Sequence, residues 1–90
     1  MDRLPSKVVR TFFKDNRGNI WIGTQNGAAR YDPATGVLQY FNFDTGLKGS
    51  KVSGINQDLN GKVWFATLDS GVAAYDYHLD KIKSYFQRWH

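Results

Sequence analysis

Apolar and polar positions follow one another along this chain in short runs that are separated by turn residues. The runs at residues 20–22 and 63–65 each place a Trp beside other apolar residues, so both faces of the segment are apolar. Because successive side chains of a strand point to opposite faces, such a run predicts a strand that is covered on both faces. The segments before these runs, DNRGN and DLNGK, favour tight hairpin turns. The pattern predicts an all-β chain of short antiparallel strands.

The chain also contains an internal repeat. At an offset of 43 residues, Trp21 falls on Trp64 and Asp15 falls on Asp58. A one-residue insertion then raises the offset to 44, and a second insertion before the last strand is expected to raise it to 45. Both insertions fall in stretches rich in Gly, Asp and Asn, where loops tolerate a change of length. The sequence therefore predicts two copies of one unit of about 43 residues.

Each copy is predicted to contain four strands. Four short strands in a period of about 40 to 45 residues are typical of a β-propeller blade. We expect two four-stranded antiparallel blades, the first in residues 1–46 and the second in residues 47–90. The predicted strands are residues 8–14, 19–24, 28–31 and 37–43 in the first copy and residues 52–57, 62–67, 72–75 and 82–86 in the second.

The repeated motif is specific enough to suggest a family. It reads D-x-x-G-x-[IV]-W-[IF]-[GA]-T, with G-x-A-x-Y-D after it and L-x-x-x-x-V before it. This motif resembles the two-component-regulator propeller repeat of bacterial extracytoplasmic sensors. The resemblance implies a non-enzymatic, ligand-sensing propeller in the periplasm or outside the cell, and several members of that family recognise oligosaccharides. Propellers of the NHL and lyase types share the D-x-x-G-x-[IV] turn and remain alternatives.

The apolar strand centres predict packing between blades. Trp21 and Trp64 each lie among apolar residues at the same place in both copies, which suits a buried position better than an exposed platform for a sugar or a base. Their strand neighbours are expected to share this role. The residues predicted to pack between blades are Trp21, Trp64, Ile20, Ile22, Val63 and Phe65.

Composition and charge mainly exclude classes of partner for this chain. The chain has 41% hydrophobic and 22% charged residues, no Cys and a net charge of +4. Its basic residues are scattered and interleaved with acidic ones, so the charge indicates solubility rather than a nucleic-acid surface. The apolar runs are far shorter than the roughly 18 to 20 residues of a membrane helix. Neither nucleic acid nor a membrane is expected as a partner of this chain.

The polar residues offer little catalytic chemistry. His78 and His90 share no useful spacing with each other or with carboxylates, and no Ser lies in a nucleophile motif. The turns at residues 15–19 and 58–61 lack the alternating acids and the distal Glu of a calcium loop. We therefore expect no enzyme, no catalytic residue, no metal and no cofactor. A lyase-type or other enzyme propeller, with one His and an acid in its central funnel, is the alternative.

Any ligand site is expected around the propeller axis, where the first strands of the blades and their entry loops converge. The residues of these segments that are not expected in the core are Lys7, Arg10, Phe13, Ser53 and Asn56. They combine charge, hydrogen-bonding groups and an aromatic ring, a mixture found in sites for oligosaccharides and small molecules.

Two blades cannot close a propeller, because closed rings contain about 4 to 8 blades. Each blade would otherwise leave an apolar face in water. The chain begins with Met1, and its repeat frame starts before a first strand and ends after a fourth. These features predict an engineered or excised two-blade unit that associates with itself. A cyclic homo-oligomer of four chains is favoured over three, because bulky aromatic residues between blades favour a wider ring.

Overall fold

A computed structural model describes residues 8–49 and 51–85 of the chain. In these residues eight strands form two four-stranded antiparallel sheets, each ordered as the strands occur in the chain. The first sheet, blade 1, contains β1 (Val9–Lys14), β2 (Ile20–Thr24), β3 (Gly27–Tyr31) and β4 (Leu38–Phe41). The second, blade 2, contains β5 (Val52–Gln57), β6 (Val63–Thr67), β7 (Val72–Asp76) and β8 (Lys81–Tyr85). The predicted all-β fold of two antiparallel blades is confirmed.

The last predicted strand of blade 1 extends too far. Residues 37–43 were expected to be a strand, but β4 ends at Phe41 and a short 3-10 helix covers Phe43–Thr45. The Thr45 hydroxyl accepts a 2.8 Å hydrogen bond from the Asn42 amide, which favours a turn over continued strand pairing. In blade 2, residue 86 of the predicted strand 82–86 lies outside the described residues.

The second insertion that the repeat suggested is wrong. Tyr31 pairs with Leu38 in blade 1, and Tyr75 pairs with Ile82 in blade 2, so the fourth strands align at an offset of 44 rather than 45. Because side chains alternate between faces, a slip of one residue would move every side chain of that strand to the other face. The counterpart of Phe41 is therefore Tyr85.

The hydrophobic core lies between the two blades. The Trp21 ring of blade 1 has its centroid 5.3 Å from that of Phe65 and 5.2 Å from that of Tyr75, both in blade 2. Phe41 adds a second contact with Tyr75 at 5.3 Å. The buried members of this core are Trp21, Ala28, Phe41, Leu47, Val52, Val63, Phe65, Ala73, Tyr75 and Ile82.

Each blade also has a face that points away from the other blade, which we call its outer face. Cross-strand pairs share a face, so the register places Phe12, Ile20, Ile22 and Tyr31 on the outer face of blade 1. The same reasoning places Asn56, Trp64, Val72 and Tyr85 on the outer face of blade 2. No helix in the described part of the chain is long and apolar enough to cross a membrane.

Candidate functional site

The hairpin between β1 and β2 is organised by one carboxylate. Asp15 Oδ1 accepts hydrogen bonds from the backbone amides of Arg17 at 2.9 Å and Asn19 at 3.0 Å. Asp15 Oδ2 accepts a 2.7 Å bond from Trp21 Nε1. One side chain thus closes the turn and fixes the orientation of the indole ring on the next strand.

Blade 2 repeats this arrangement. Asp58 Oδ1 accepts from the amides of Asn60 at 2.9 Å and Lys62 at 3.0 Å, and Asp58 Oδ2 accepts from Trp64 Nε1 at 2.8 Å. The bond from Trp64 and the backbone bonds outweigh desolvation and lower the pKa of Asp58. These turns use their carboxylate oxygens within the protein, and no cluster of three or more His, Cys, Asp or Glu that could hold a metal ion occurs among the described residues.

A loop of blade 2 binds directly to the first hairpin. Tyr77 follows β7, and its hydroxyl donates a hydrogen bond to Asp15 Oδ2. Asn19 Nδ2 donates to the Tyr77 hydroxyl at 2.9 Å, and the Arg17 guanidinium lies 4.1 Å from the centroid of the Tyr77 ring. These contacts join the two blades at the end where the β1–β2 hairpin and the β7–β8 loop meet.

A cavity of about 420 Å³ opens beside these contacts, between the two blades. Arg30, on the central strand β3, contributes a guanidinium that lies 4.9 Å from the Tyr75 ring centroid and 5.2 Å from that of Tyr77. Its Nη2 donates a hydrogen bond to Gln39 Oε1 on β4. The cavity is also lined by Arg17, Asp32, Gln39, Tyr77 and Asp80.

The pKa values of two side chains that line this cavity, Arg30 and Tyr75, are shifted further from neutral pH. Burial, together with the 2.6 Å hydrogen bond that its hydroxyl donates to Asp80, raises the pKa of Tyr75 to about 12. Burial acts to lower the pKa of Arg30, but hydrogen bonds and charge interactions with Tyr75 and Tyr77 raise it overall. Arg30 is therefore charged and Tyr75 neutral at ordinary pH. Neither Arg30 nor Tyr75 thus titrates near the working pH, as a side chain that transfers protons in catalysis does.

The residues predicted to bind a ligand are placed along the first strand of each blade. Arg10, Ser53 and Asn56 are exposed, and the first two lie where the pairing of β1 and β5 is irregular. Phe13 packs against the core between the blades, because its register places it beside Trp21. Lys7 lies outside the described residues. A ligand role for these residues stays a prediction.

The residues predicted to pack between blades fall into two groups. Trp21, Val63 and Phe65 are fully buried in the core between the blades. Ile20, Ile22 and Trp64 lie on the outer faces. Ile22 is nevertheless buried, whereas Ile20 and Trp64 are half-buried.

Sequence reasoning missed Arg30 and Tyr77, although a signal was present. Arg30 interrupts the apolar strand segment Gly27–Tyr31. At the corresponding position the second copy has Ala74, which also pairs with the strand-centre Trp of its blade. Arg30 thus places a cation at a core-facing position where the other copy has a small apolar residue. Packing of the blade does not require this difference.

Comparison with known proteins agrees with this architecture. Residues 3–26 match the family model described as two component regulator propeller. Among solved structures, the chain is similar to the extracellular domain of the hybrid two component system BT3049 from B. thetaiotaomicron, with a TM-score of 0.83 and 22% identity. That match covers 90% of this chain, which spans only 11% of the length of the other.

No curated protein matches the chain. The structural likeness, at 22% identity, shows the propeller fold. The resemblance that the repeated motif suggested is confirmed: residues 3–26 match the two component regulator propeller model, and the chain folds as two propeller blades.

Proposed function

We propose that this chain is a non-enzymatic propeller module of the two-component-sensor type, completed to a closed ring by further copies of itself. One observation carries the proposal. The two blades form an interface inside the chain, and the residues equivalent to each side of this interface lie on the outer face of the other blade. The structural relative is an extracellular domain, and a location outside the cytoplasm is part of this proposal.

The outer face of blade 2 corresponds to the half of the interface that contains Trp21. Ala28 and Phe41 are 0% and 4% exposed between the blades, whereas their counterparts Val72 and Tyr85 are 40% and 38% exposed. Among the described residues, the Trp64 ring packs against its own blade, with its centroid 5.6 Å from that of Tyr85. These side chains form a partly exposed apolar surface of the kind that marks an interface.

The outer face of blade 1 corresponds to the other half. Ile55 packs against the core between the blades, whereas its counterpart Phe12 is 63% exposed. Tyr75 is buried, and its counterpart Tyr31 is half-buried. The outer face of blade 1 in one copy therefore offers aromatic residues to the Trp64 surface of the next copy.

Head-to-tail contacts of this kind join unlike faces, and they close into a ring when the rotation per chain allows it. Because each chain adds two blades, the ring has an even number of blades. We favour four chains over three, because bulky aromatic rings between neighbouring blades favour a ring of larger diameter. The ring would expose Arg10, Ser53 and Asn56 near its axis as a surface for an oligosaccharide or another small molecule.

Sedimentation equilibrium at micromolar concentration tests the assembly. We expect a particle of four 10.3 kDa chains. Val72→Lys, on the outer face of blade 2, should shift the protein toward the monomer because it places a charge in the proposed contact. Leu59→Lys is the matched control, since Leu59 lies in a hairpin turn and is fully exposed. A folded monomer of the unchanged chain would contradict the proposal, and a trimer would replace four chains by three.

A further inference from the structure

The two blades differ where the cavity lies between them. Arg30 and its counterpart Ala74 each lie opposite the strand-centre Trp of their blade. Tyr77 corresponds to Pro33 at the same offset of 44. A blade therefore folds without a cation at the position of Arg30 and without a phenol at the position of Tyr77. These two side chains distinguish this cavity from the equivalent positions of the other copy.

The Arg30 guanidinium retains hydrogen-bonding capacity toward the cavity. An arginine has five N–H donors in a planar fork. Within the described residues, Arg30 donates to the Gln39 amide oxygen and lies over the rings of Tyr75 and Tyr77, and no carboxylate pairs with it. Arg17 lines the same cavity and stacks on the Tyr77 ring. Two arginines thus line one opening.

Two carboxylates line the cavity as well. Asp80 accepts a hydrogen bond from the Tyr75 hydroxyl, and Asp32 accepts one from the Ala34 amide at 2.9 Å. Each carboxylate can accept further hydrogen bonds. Within the part of the chain that the structure describes, the lining therefore offers guanidinium donors without a carboxylate partner, together with carboxylate acceptors, beside two tyrosine rings.

We propose that this cavity binds a small hydroxylated carboxylate, a hydroxy acid. The carboxylate would lie on Arg30 and Arg17, because guanidinium groups bind carboxylates in a planar, bidentate manner. Hydroxyl groups of the ligand would donate to Asp80 and Asp32. The cavity volume of about 420 Å³ lies in the range of small-molecule sites. The cavity lies within one chain, so a test of ligand binding here does not depend on whether several chains assemble into a closed propeller.

Gluconate is a suitable probe, and sorbitol is its matched control because it keeps the hydroxylated chain and lacks the carboxylate. We expect saturation-transfer NMR to detect gluconate binding to the unchanged protein, with sorbitol weaker by about tenfold or more, as expected for loss of a charged hydrogen bond. Arg30→Gln should weaken gluconate binding by a similar factor. Arg30→Lys should also weaken gluconate binding, because lysine keeps the positive charge but lacks the planar, bidentate guanidinium group.

Lys14→Gln is the control variant, since Lys14 is an exposed cation on β1 and lies outside the cavity lining. It should leave gluconate binding unchanged. Arg17→Gln provides a second test at an exposed position if Arg30→Gln fails to fold by circular dichroism, and it should also weaken binding. Absence of gluconate binding at millimolar concentration, equal binding of sorbitol, or loss of binding in Lys14→Gln would each overturn the proposal.

Discussion

At the scale of single residues, the turn aspartates explain the spacing of the repeated motif. One carboxylate oxygen holds two backbone amides of the turn, and the other accepts the indole N–H six residues later. The glycine three residues after the aspartate has a positive φ, +85° at Gly18 and +87° at Gly61, which favours glycine. Asp15 has an additional role, because it is buried and also accepts a bond from Tyr77 of the other blade.

Substitution of Asp15 by Ala should therefore be costly. We expect a loss of about 2 to 4 kcal/mol in the free energy of unfolding, because buried donors of the turn, the indole and the Tyr77 hydroxyl lose their acceptor together. Asp58→Ala is the matched control, and it should cost less because Asp58 has no partner from the other blade among its described contacts. Urea unfolding of both variants measures the difference. Equal losses would show that the contact between blades contributes nothing.

At the scale of elements, the segment between the blades positions blade 2. It inserts Leu47 into the core, where this side chain is buried. Ser84 of β8 donates a 2.7 Å hydrogen bond to the Gly46 carbonyl and accepts a 2.9 Å bond from the Lys48 amide. The connection is therefore held against the last strand of blade 2 and is part of the packed structure rather than a loose linker.

At Gly46 of this connection, an added side chain would meet both an unfavourable backbone conformation and the backbone of β8. The φ of Gly46 is +108°, and a Cβ atom would lie 2.7 Å from the Ile82 carbonyl oxygen. Gly36→Ala is a matched control, because Gly36 has a φ of +77° and open space around it. Gly36→Ala should cost about 1 kcal/mol through backbone strain, and Gly46→Ala should cost clearly more. Thermal unfolding distinguishes the two, and equal shifts in Tm would mean that the segment moves aside.

At the scale of the whole molecule, the two blades have the same fold and different surroundings. Trp21 is fully buried between the blades, whereas Trp64 lies half-buried on an outer face. The position within the blade is the same, and only the neighbouring blade differs. The chain thus contains one interface between blades and two outer faces that no blade of the described residues covers.

The two tryptophans should respond differently to removal. We expect Trp21→Ala to lower the free energy of unfolding by about 3 to 5 kcal/mol at any protein concentration, because it leaves a cavity in the core. Trp64→Ala should cost less in dilute solution and should mainly weaken association at higher concentration. Chemical unfolding combined with sedimentation over a range of concentrations separates these effects. Equal losses at all concentrations would contradict a role for Trp64 between chains.

The strands were predictable because their signals are local. The predicted second strands, residues 19–24 and 62–67, each differ from the observed bounds by one residue at one end, since a hairpin turn and an apolar run lie next to each other in the sequence. The fourth strands were misaligned by one residue, because the similar pair Tyr-Phe occurs at residues 40–41 and 85–86. Their true register follows from which face is buried, and pairing with β3 and β7 decides that.

Local patterns in the sequence specify the repeat, the number and order of the described strands, and the turns, since each depends on side-chain alternation and hydrogen bonds within one blade. Packing of one blade against the other buries Trp21 while Trp64 is half-buried, and it brings Arg30 to Tyr75 and Tyr77 at a cavity. The bond from Tyr77 to Asp15 joins residues 62 positions apart. Such contacts depend on how two separate sheets pack, and no local pattern of residues encodes that arrangement.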